Sequence, residues 1–294
     1  MEQSTALTAG QLIVALRLAG CVHAEEEAAI LLEAARPTAG SAEDAVACPG
    51  TAAAAGPGDR LAQMLEQRRQ GIPLEHIVGW AEFCGRRVAV VPGVFVPRKR
   101  SEFLVEQALA VLAHSVRADT DTDAVAAPLR PVIVDLCCGT GALGAAIACA
   151  LPECELHAAD IDATAVACAA GNIAPFGGRA HCGDLFAALP KHLRGRIDVI
   201  VANAPYVPAA AIAFMPQEAR LHEPDIALNG GADGLALHRR IAEQAGAWLR
   251  PGGTVLLECS EKQASRSAAI LAGHGFVTGT AVSEALDGVV VTAH

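Results

Sequence analysis

Aromatic side chains are scarce in this chain: Phe, Trp and Tyr make up 3% of 294 residues, and there is a single tyrosine. That leaves little material for the stacking platforms on which single-stranded nucleic acid is bound. Basic residues are outnumbered too, 22 Lys and Arg against 32 Asp and Glu, for a net charge of −10. Phosphate neutralisation by clustered Lys and Arg is therefore opposed, and a protein or small-molecule partner fits better than nucleic acid. The cysteines, at 21, 48, 84, 137, 138, 149, 154, 168, 182 and 259, form no CxxC pair and none stands beside an HxxxH-type partner, so no metal site is expected. They read as small buried hydrophobes of a reducing compartment. The N-terminus lacks a basic segment followed by a cleavage site, and a cytoplasmic location is expected. The one stretch apolar enough to score as a membrane span, 132–151, carries Asp135 and is interrupted by Gly139, Gly141 and Gly144. A buried strand followed by a buried helix explains it better.

What remains is 52% hydrophobic and long enough for one large domain with a small one beside it. Residues 8–35 read as two short helices: Thr8 and Gln11 make a capping box, Leu12, Ala15, Leu16 and Ala19 share a face, and Ala28, Leu31, Leu32 and Ala35 form a second stripe ending before Pro37. Residues 37–59 read as a flexible connection, and 60–70 as a third helix closed by Gly71 and Pro73. Phe83, Val88, Val90 and Val91, then Pro92-Gly93, then Val94 and Val96 predict a hairpin. Beyond Ser101, strands expected at 132–136, 156–159, 199–202, 254–257 and 289–292 alternate with helices at 102–113, 143–151, 164–173, 235–248 and 263–273. Such alternation predicts an α/β fold, a mostly parallel sheet covered on both faces, with ligands at the carboxyl ends of its strands.

Two motifs fall at those ends. Gly139-Thr140-Gly141-Ala142-Leu143-Gly144 is a GxGxxG loop between strand and helix, and Asp160 closes the next strand about 20 residues on, where a carboxylate can hold a ribose diol. An NAD-binding dehydrogenase satisfies the same pattern. Asp135 at the end of the first strand turns the reading toward S-adenosylmethionine, because a carboxylate suits its cationic amino-acid end and would repel a pyrophosphate. The second motif, Asn203-Ala204-Pro205-Tyr206, follows a wholly apolar strand and contains the only tyrosine. A planar NH2 on an sp2 carbon is a poor nucleophile because its lone pair is delocalised. A site that accepts both N–H bonds, at the Asn203 side-chain oxygen and at a carbonyl of the Ala204-Pro205 turn, aims that lone pair at a methyl group. Pro205 biases Ala204 to an extended backbone, and Tyr206 can stack on the flat amide.

At these residues the chain resembles the HemK/PrmC protein-glutamine N5-methyltransferase family, from about Pro73 to about Gln263. Phe95-Val-Pro-Arg98 through Ser101-Glu102 is similar to the family's (L/V)xPRxxTE segment, Asp135-Leu-Cys-Cys-Gly139-Thr-Gly141 to DLGTGTG, Gly183-Asp184-Leu185-Phe186 to SDxF, and Asn203 to Tyr206 to NPPY. Residues 218–224 and 227–234 resemble the family's segment after NPPY. Ala204 stands for a proline, Cys137 and Cys138 for a Gly-Thr pair, and Arg100 for an acid. The resemblance implies a Rossmann-like, seven-stranded class I methyltransferase domain over 99–294, an N-terminal helical substrate-recognition domain over 1–75 and a β-hairpin linker over 76–98. It also implies S-adenosylmethionine, leaving as S-adenosylhomocysteine, held by Asp135, Cys137, Cys138, Gly139, Thr140, Gly141, Asp160, Asp184, Leu185 and Asn203. The acceptor is then the glutamine of the Gly-Gly-Gln loop in a peptide chain release factor, bound by Asn203, Ala204, Pro205 and Tyr206, with Asn203, Pro205 and Tyr206 as the catalytic set. Rival readings are an amino-methyltransferase on adenine in nucleic acid, a relative acting on another protein, and a non-catalytic partner-binding module. Arg98 and Glu102 are expected either to order the loop over the donor or to form a surface ion pair.

Overall fold

The computed structural model describes residues 7–36, 57–119 and 130–294. Four helices come first: α1 (Ala9–Leu18), α2 (Ala24–Ala34), α3 (Pro57–Arg69) and α4 (Leu74–Val78). The Thr8–Gln11 capping box is present, with the Thr8 hydroxyl accepting from the Gln11 amide and the Gln11 side chain accepting from the Thr8 amide. Leu12, Leu16, Leu31, Leu61, Met64 and Leu65 bury themselves in a small core of their own. Of the connection expected at 37–59, residues 37–56 lie outside the described residues, while 57–59 already belong to α3.

The hairpin is not the one the sequence suggested. Strands β1 (Trp80–Phe83) and β2 (Arg86–Ala89) pair with Phe83 opposite Arg86, so the turn is Cys84-Gly85 and not Pro92-Gly93. Both turn residues are left-handed, φ 50° and 67°, as a two-residue turn matching the strand twist requires. Cysteine is not a residue that announces such a turn, whereas Pro92-Gly93 bends a loop in which the Val94 amide donates to the Val91 carbonyl.

After a short 3-10 turn, Lys99–Ser101, come α5 (Glu102–Asp119), β3 (Val132–Leu136), α6 (Ala142–Ala150), β4 (Glu155–Asp160), α7 (Ala163–Ile173), β5 (Arg179–Cys182) and β6 (Ile197–Ala202). The chain continues through α8 (Gln217–His222), α9 (Asp225–Leu228), α10 (Ala236–Ala245), β7 (Leu249–Glu258), α11 (Glu261–Gly273), β8 (Thr278–Ser283) and β9 (Gly288–Ala293). The seven-stranded sheet has the order β5-β4-β3-β6-β7-β9-β8, parallel except for β9, which runs antiparallel to both neighbours. This is the class I methyltransferase arrangement. Strands β5 and β8 were not legible in the sequence because they are edge strands whose residues are half-buried or exposed and so lack an apolar run.

Period-two alternation divides the core. Val134, Leu136, Ile200, Ala202, Val255 and Leu257 face α10 and α11, whereas Ile133, Val199, Val201 and Leu256 face α5, α6 and α7. The apolar stretch 132–151 is thus a strand buried at every position followed by an alanine-rich helix with seven buried residues. Among the described residues no helix is long and apolar enough to cross a membrane.

Candidate active site

The sheet reverses its order at β3, whose two neighbours β4 and β6 lead away in opposite directions, and the loops leaving the carboxyl edge open a crevice there. Leu136 pairs with Ala202 on one side and Ala159 on the other. Cys137, Asn203 and Asp160 therefore leave the sheet side by side. A cavity of about 660 Å³ lies above them, walled also by Arg98, Ser101 and Met215. Of the site residues read from the sequence, all line this cavity except Asp135 and Gly141.

Asp135 is a correction to the expected direct contact. It is fully buried on the α6 side of β3, and its Oδ2 accepts from the Gly144 amide at 2.9 Å while Oδ1 has no partner. Burial pushes its carboxyl up to about 8, against the lowering effect of the Gly144 amide and with a further push from Asp160. Its place is beneath the glycine loop, tying the first turn of α6 to the strand. Gly141, φ +73°, caps α6 where a Cβ would stand 3.0 Å from Ala169 Cβ, so glycine there lets α6 and α7 approach.

The loop itself is open to the cavity. Gly139 is left-handed at φ +53° and nothing lies within 4 Å of where its Cβ would stand. Asp160 braces it: Oδ2 accepts from the Gly139 amide at 2.9 Å and Oδ1 from the Asp162 amide at 3.0 Å. Burial raises the Asp160 pKa and those amides hold it back. Cys137 is also left-handed, φ 55°, without being glycine, and burial pushes its thiol far up, so it is an uncharged wall. Asp184 pairs with Arg240 at 2.6 Å across the same cavity. Asn172 on α7 clamps the loop from behind, its amide donating to the Thr140 carbonyl at 2.8 Å and to the Ala89 carbonyl at 2.9 Å.

On the other side of the cavity Asn203 Nδ2 donates to Ser101 Oγ at 3.1 Å. The Ser101 and Tyr206 hydroxyls lie near the buried Glu258 carboxyl group, neither oxygen of which has a hydrogen-bond partner, and Arg100 Nε lies 3.4 Å from it; burial raises the Glu258 pKa and Ser101, Arg100 and Tyr206 pull it back. Burial first, then Glu258, pushes the Tyr206 phenol up to about 12, which keeps it protonated. The Tyr206 carbonyl accepts from Gln263 Nε2 at 2.8 Å, and Gln263 completes the capping box of α11. Gly234 packs against that same carbonyl, since a Cβ there would stand 2.2 Å from it. Arg98 is ion-paired with Glu223, whose side chain is wholly buried, and Glu102 accepts from the Cys84 amide at 2.8 Å. These two residues thus tie the cavity wall to α8 and to the hairpin. Glu258, Gln263 and Asn172 were missed as site residues because single polar residues in apolar or helical segments carry no spacing signal; Ser101 stood in the segment similar to (L/V)xPRxxTE but was given no role.

Residues 107–231 match the methyltransferase small domain family. The chain is 36% identical to the release factor glutamine methyltransferase of Streptomyces coelicolor over 69% of its own length and 68% of that protein's. It is 37% identical to the release factor glutamine methyltransferase of Bordetella pertussis over 71% of its own length and 72% of the relative's. A third relative, the 4-amino-L-phenylalanine/4-methylamino-L-phenylalanine methyltransferase of Streptomyces pristinaespiralis, is 34% identical over 69% of this chain and 66% of that one.

Proposed function

Because the chain belongs to the family of the release factor glutamine methyltransferases, we propose that it transfers a methyl group from S-adenosylmethionine to the side-chain amide nitrogen (N5) of a protein glutamine, in the Gly-Gly-Gln loop of a peptide chain release factor. The observation that carries this reading is the single cavity shared by the 137–141 loop, Asp160 and Asn203–Tyr206. The residues fit the donor. Gly139 leaves open space along its absent side chain and Asp160 presents a carboxylate on the wall. We assign the ribose diol to Asp160, the adenine edge to Asp184 and Leu185, and the methionine end to Cys137, Cys138, Gly139 and Thr140. Asp135 and Gly141 hold the loop in shape from below. When bound, S-adenosylmethionine supplies an electrophilic methyl on a sulfonium centre.

The acceptor chemistry belongs to Asn203 and its turn. With Nδ2 committed to Ser101, Asn203 Oδ1 is the end left to accept one N–H of the glutamine amide. A carbonyl of the Ala204-Pro205 turn accepts the other, which localises the nitrogen lone pair along the transfer direction. The Tyr206 ring covers the flat face of the amide and, being held protonated by burial, is no base. None is needed, since the amide nitrogen becomes acidic only as its new bond forms, and its proton passes to water. A release factor as partner puts the protein in the cytoplasm.

Labelled methyl transfer to a release factor, with the modified glutamine located by mass spectrometry, tests the reading. Asn203→Ala is expected to lower kcat about 10²–10³-fold while S-adenosylhomocysteine still raises the melting temperature. Parent-level kcat in that variant would sink the role of Asn203. An arylamine offers the same planar NH2, so 4-amino-phenylalanine assayed in parallel separates the two acceptor classes.

A further inference from the structure

We infer that Glu258, through the Ser101 hydroxyl, is the positioning residue that decides which end of the Asn203 amide faces the acceptor. The inference rests on the acceptor role of Asn203 proposed above and lies one layer beneath it. Glu258 ends β7 one residue past the Ala202–Leu257 pair, so it comes to lie next to Asn203 at the sheet edge. It is 1% exposed, neither of its oxygens has a hydrogen-bond partner, and Arg100 lies 3.4 Å away, where its charge with the Ser101 and Tyr206 hydroxyls favours the ionised form that burial opposes. A buried carboxylate accepts only and strongly favours any donor within reach.

Ser101, 2% exposed, has one proton to give and faces that carboxylate. Once the proton is given to Glu258, Oγ is left with lone pairs alone. The Asn203 group 3.1 Å from Oγ must then be its NH2. The two ends of an amide have nearly the same shape and opposite polarity, so packing alone cannot choose between them. With the Ser101 proton uncommitted, Asn203 could turn its oxygen to Ser101 and its NH2 to the cavity, where it would confront the N–H bonds of an incoming amide. The buried charge thus sets one direction of donation: acceptor amide to Asn203 Oδ1, Asn203 Nδ2 to Ser101 Oγ, Ser101 to Glu258. The Tyr206 hydroxyl faces the same carboxylate. One charge therefore orients both side chains that flank the acceptor.

Ser101→Ala, Glu258→Gln and the double variant are compared with the parent in kcat, acceptor KM and affinity for S-adenosylhomocysteine. The ¹H–¹⁵N cross-peak of the Asn203 side-chain amide, assigned by its loss in Asn203→Ala, is followed in each. Each single variant is expected to lose about 10-fold or more in kcat, to keep S-adenosylhomocysteine affinity within about twofold, and to move the cross-peak. The double variant should fall no further than the worse single one, because both cut one chain. An unmoved cross-peak in Glu258→Gln, or losses that multiply in the double variant, overturns the inference. The cross-peak is read without turnover, so a parent that methylates no glutamine defeats the proposed function and leaves this inference to the spectrum. Should Glu258→Gln fail to fold, Glu258→Asp, which draws the carboxylate back from Ser101, decides: a moved Asn203 cross-peak with lowered kcat supports the inference, and an unmoved one ends it.

Discussion

Cys137 holds a backbone conformation that suits glycine, φ 55°, at the point where the glycine loop begins. A side chain in that region costs about 1–2 kcal/mol, offset in part because Cys137 packs on the core face shared with α10. Replacing it by alanine removes the thiol and keeps the strain, while glycine removes both. Cys137→Gly is thus expected to be more stable than Cys137→Ala by about 1 kcal/mol in urea unfolding. Asp135 makes a second residue-scale prediction. Its pKa is pushed to about 8 in the fold, above the unfolded value of about 3.9, so folding takes up a proton between those limits. Stability contributed at this site therefore falls as pH rises from about 4 to about 8 and levels off above. Asp135→Asn should flatten that part of the profile, and a slope identical to the parent's would rule the assignment out. Arg100, which replaces an acid of the resembled family, has a structural reason here, since its guanidinium lies against Glu258 and 5.8 Å from the Tyr206 ring centroid.

At the scale of elements, the acceptor turn is held less by its own sequence than by the segment that returns beneath it. Val207 and Asn229 form an isolated parallel bridge, the Gly230 amide donates to the Val207 carbonyl at 2.8 Å, and Gln263 at the start of α11 donates to the Tyr206 carbonyl. The fit is close enough that a Cβ on Gly234 would stand 2.2 Å from the Tyr206 carbonyl oxygen and 2.4 Å from Gln263 Nε2, at φ +77°. Gly234→Ala must move the turn or the cap of α11. It is expected to cost about 2 kcal/mol or more and to lower kcat for the acceptor, with S-adenosylhomocysteine affinity kept within about twofold. Isothermal titration beside steady-state kinetics separates the two effects.

Over the whole molecule, the N-terminal helices share no apolar core with the sheet domain among the described residues, and polar contacts tie them to that domain and to the hairpin. Arg68 on α3 grips Glu27 on α2 at 2.6 Å and Glu218 on α8 at 3.1 Å, and donates to the Ile72 carbonyl at 3.1 Å. Arg87 on β2 meets Glu33 at 2.6 Å, and His76 donates to the Val94 carbonyl at 2.9 Å. Arg68 and Glu27 are each only 12% exposed, so removing the guanidinium strands a carboxylate. Arg68→Ala should cost about 3 kcal/mol. Because α8 also leads to Glu223, the partner of Arg98 on the cavity wall, the variant should raise acceptor KM more than it changes donor affinity. Equal changes in both would place the effect on the sheet domain instead.

Much of the protein was written in its local sequence. The Thr8–Gln11 cap, the buried strand and helix within 132–151, and the alternation of elements beyond Ser101 are set by neighbours a few residues apart, and so could be read without a structure. The glycine loop, Asp160 and Asn203–Tyr206 were legible for the same reason, as short motifs at strand ends. Other features depend on distant parts of the chain. Cys84-Gly85 turns the hairpin because two left-handed residues fit the strand twist there, and β5 and β8 are strands only because a sheet edge accepts them. Asp135 sits below the loop because its alternation in β3 turns it toward α6. Glu258 and Gln263 come to the acceptor turn through strand register and helix capping from more than fifty residues away, and Ser101 from 102 residues away. On its own the sequence pointed to methyl transfer through the order of its strand-end motifs and the family they resemble, since such motifs are local. Tertiary structure alone brings Glu258 and Ser101 beside Asn203, and a hydrogen bond's polarity is set by what the fold brings next to it.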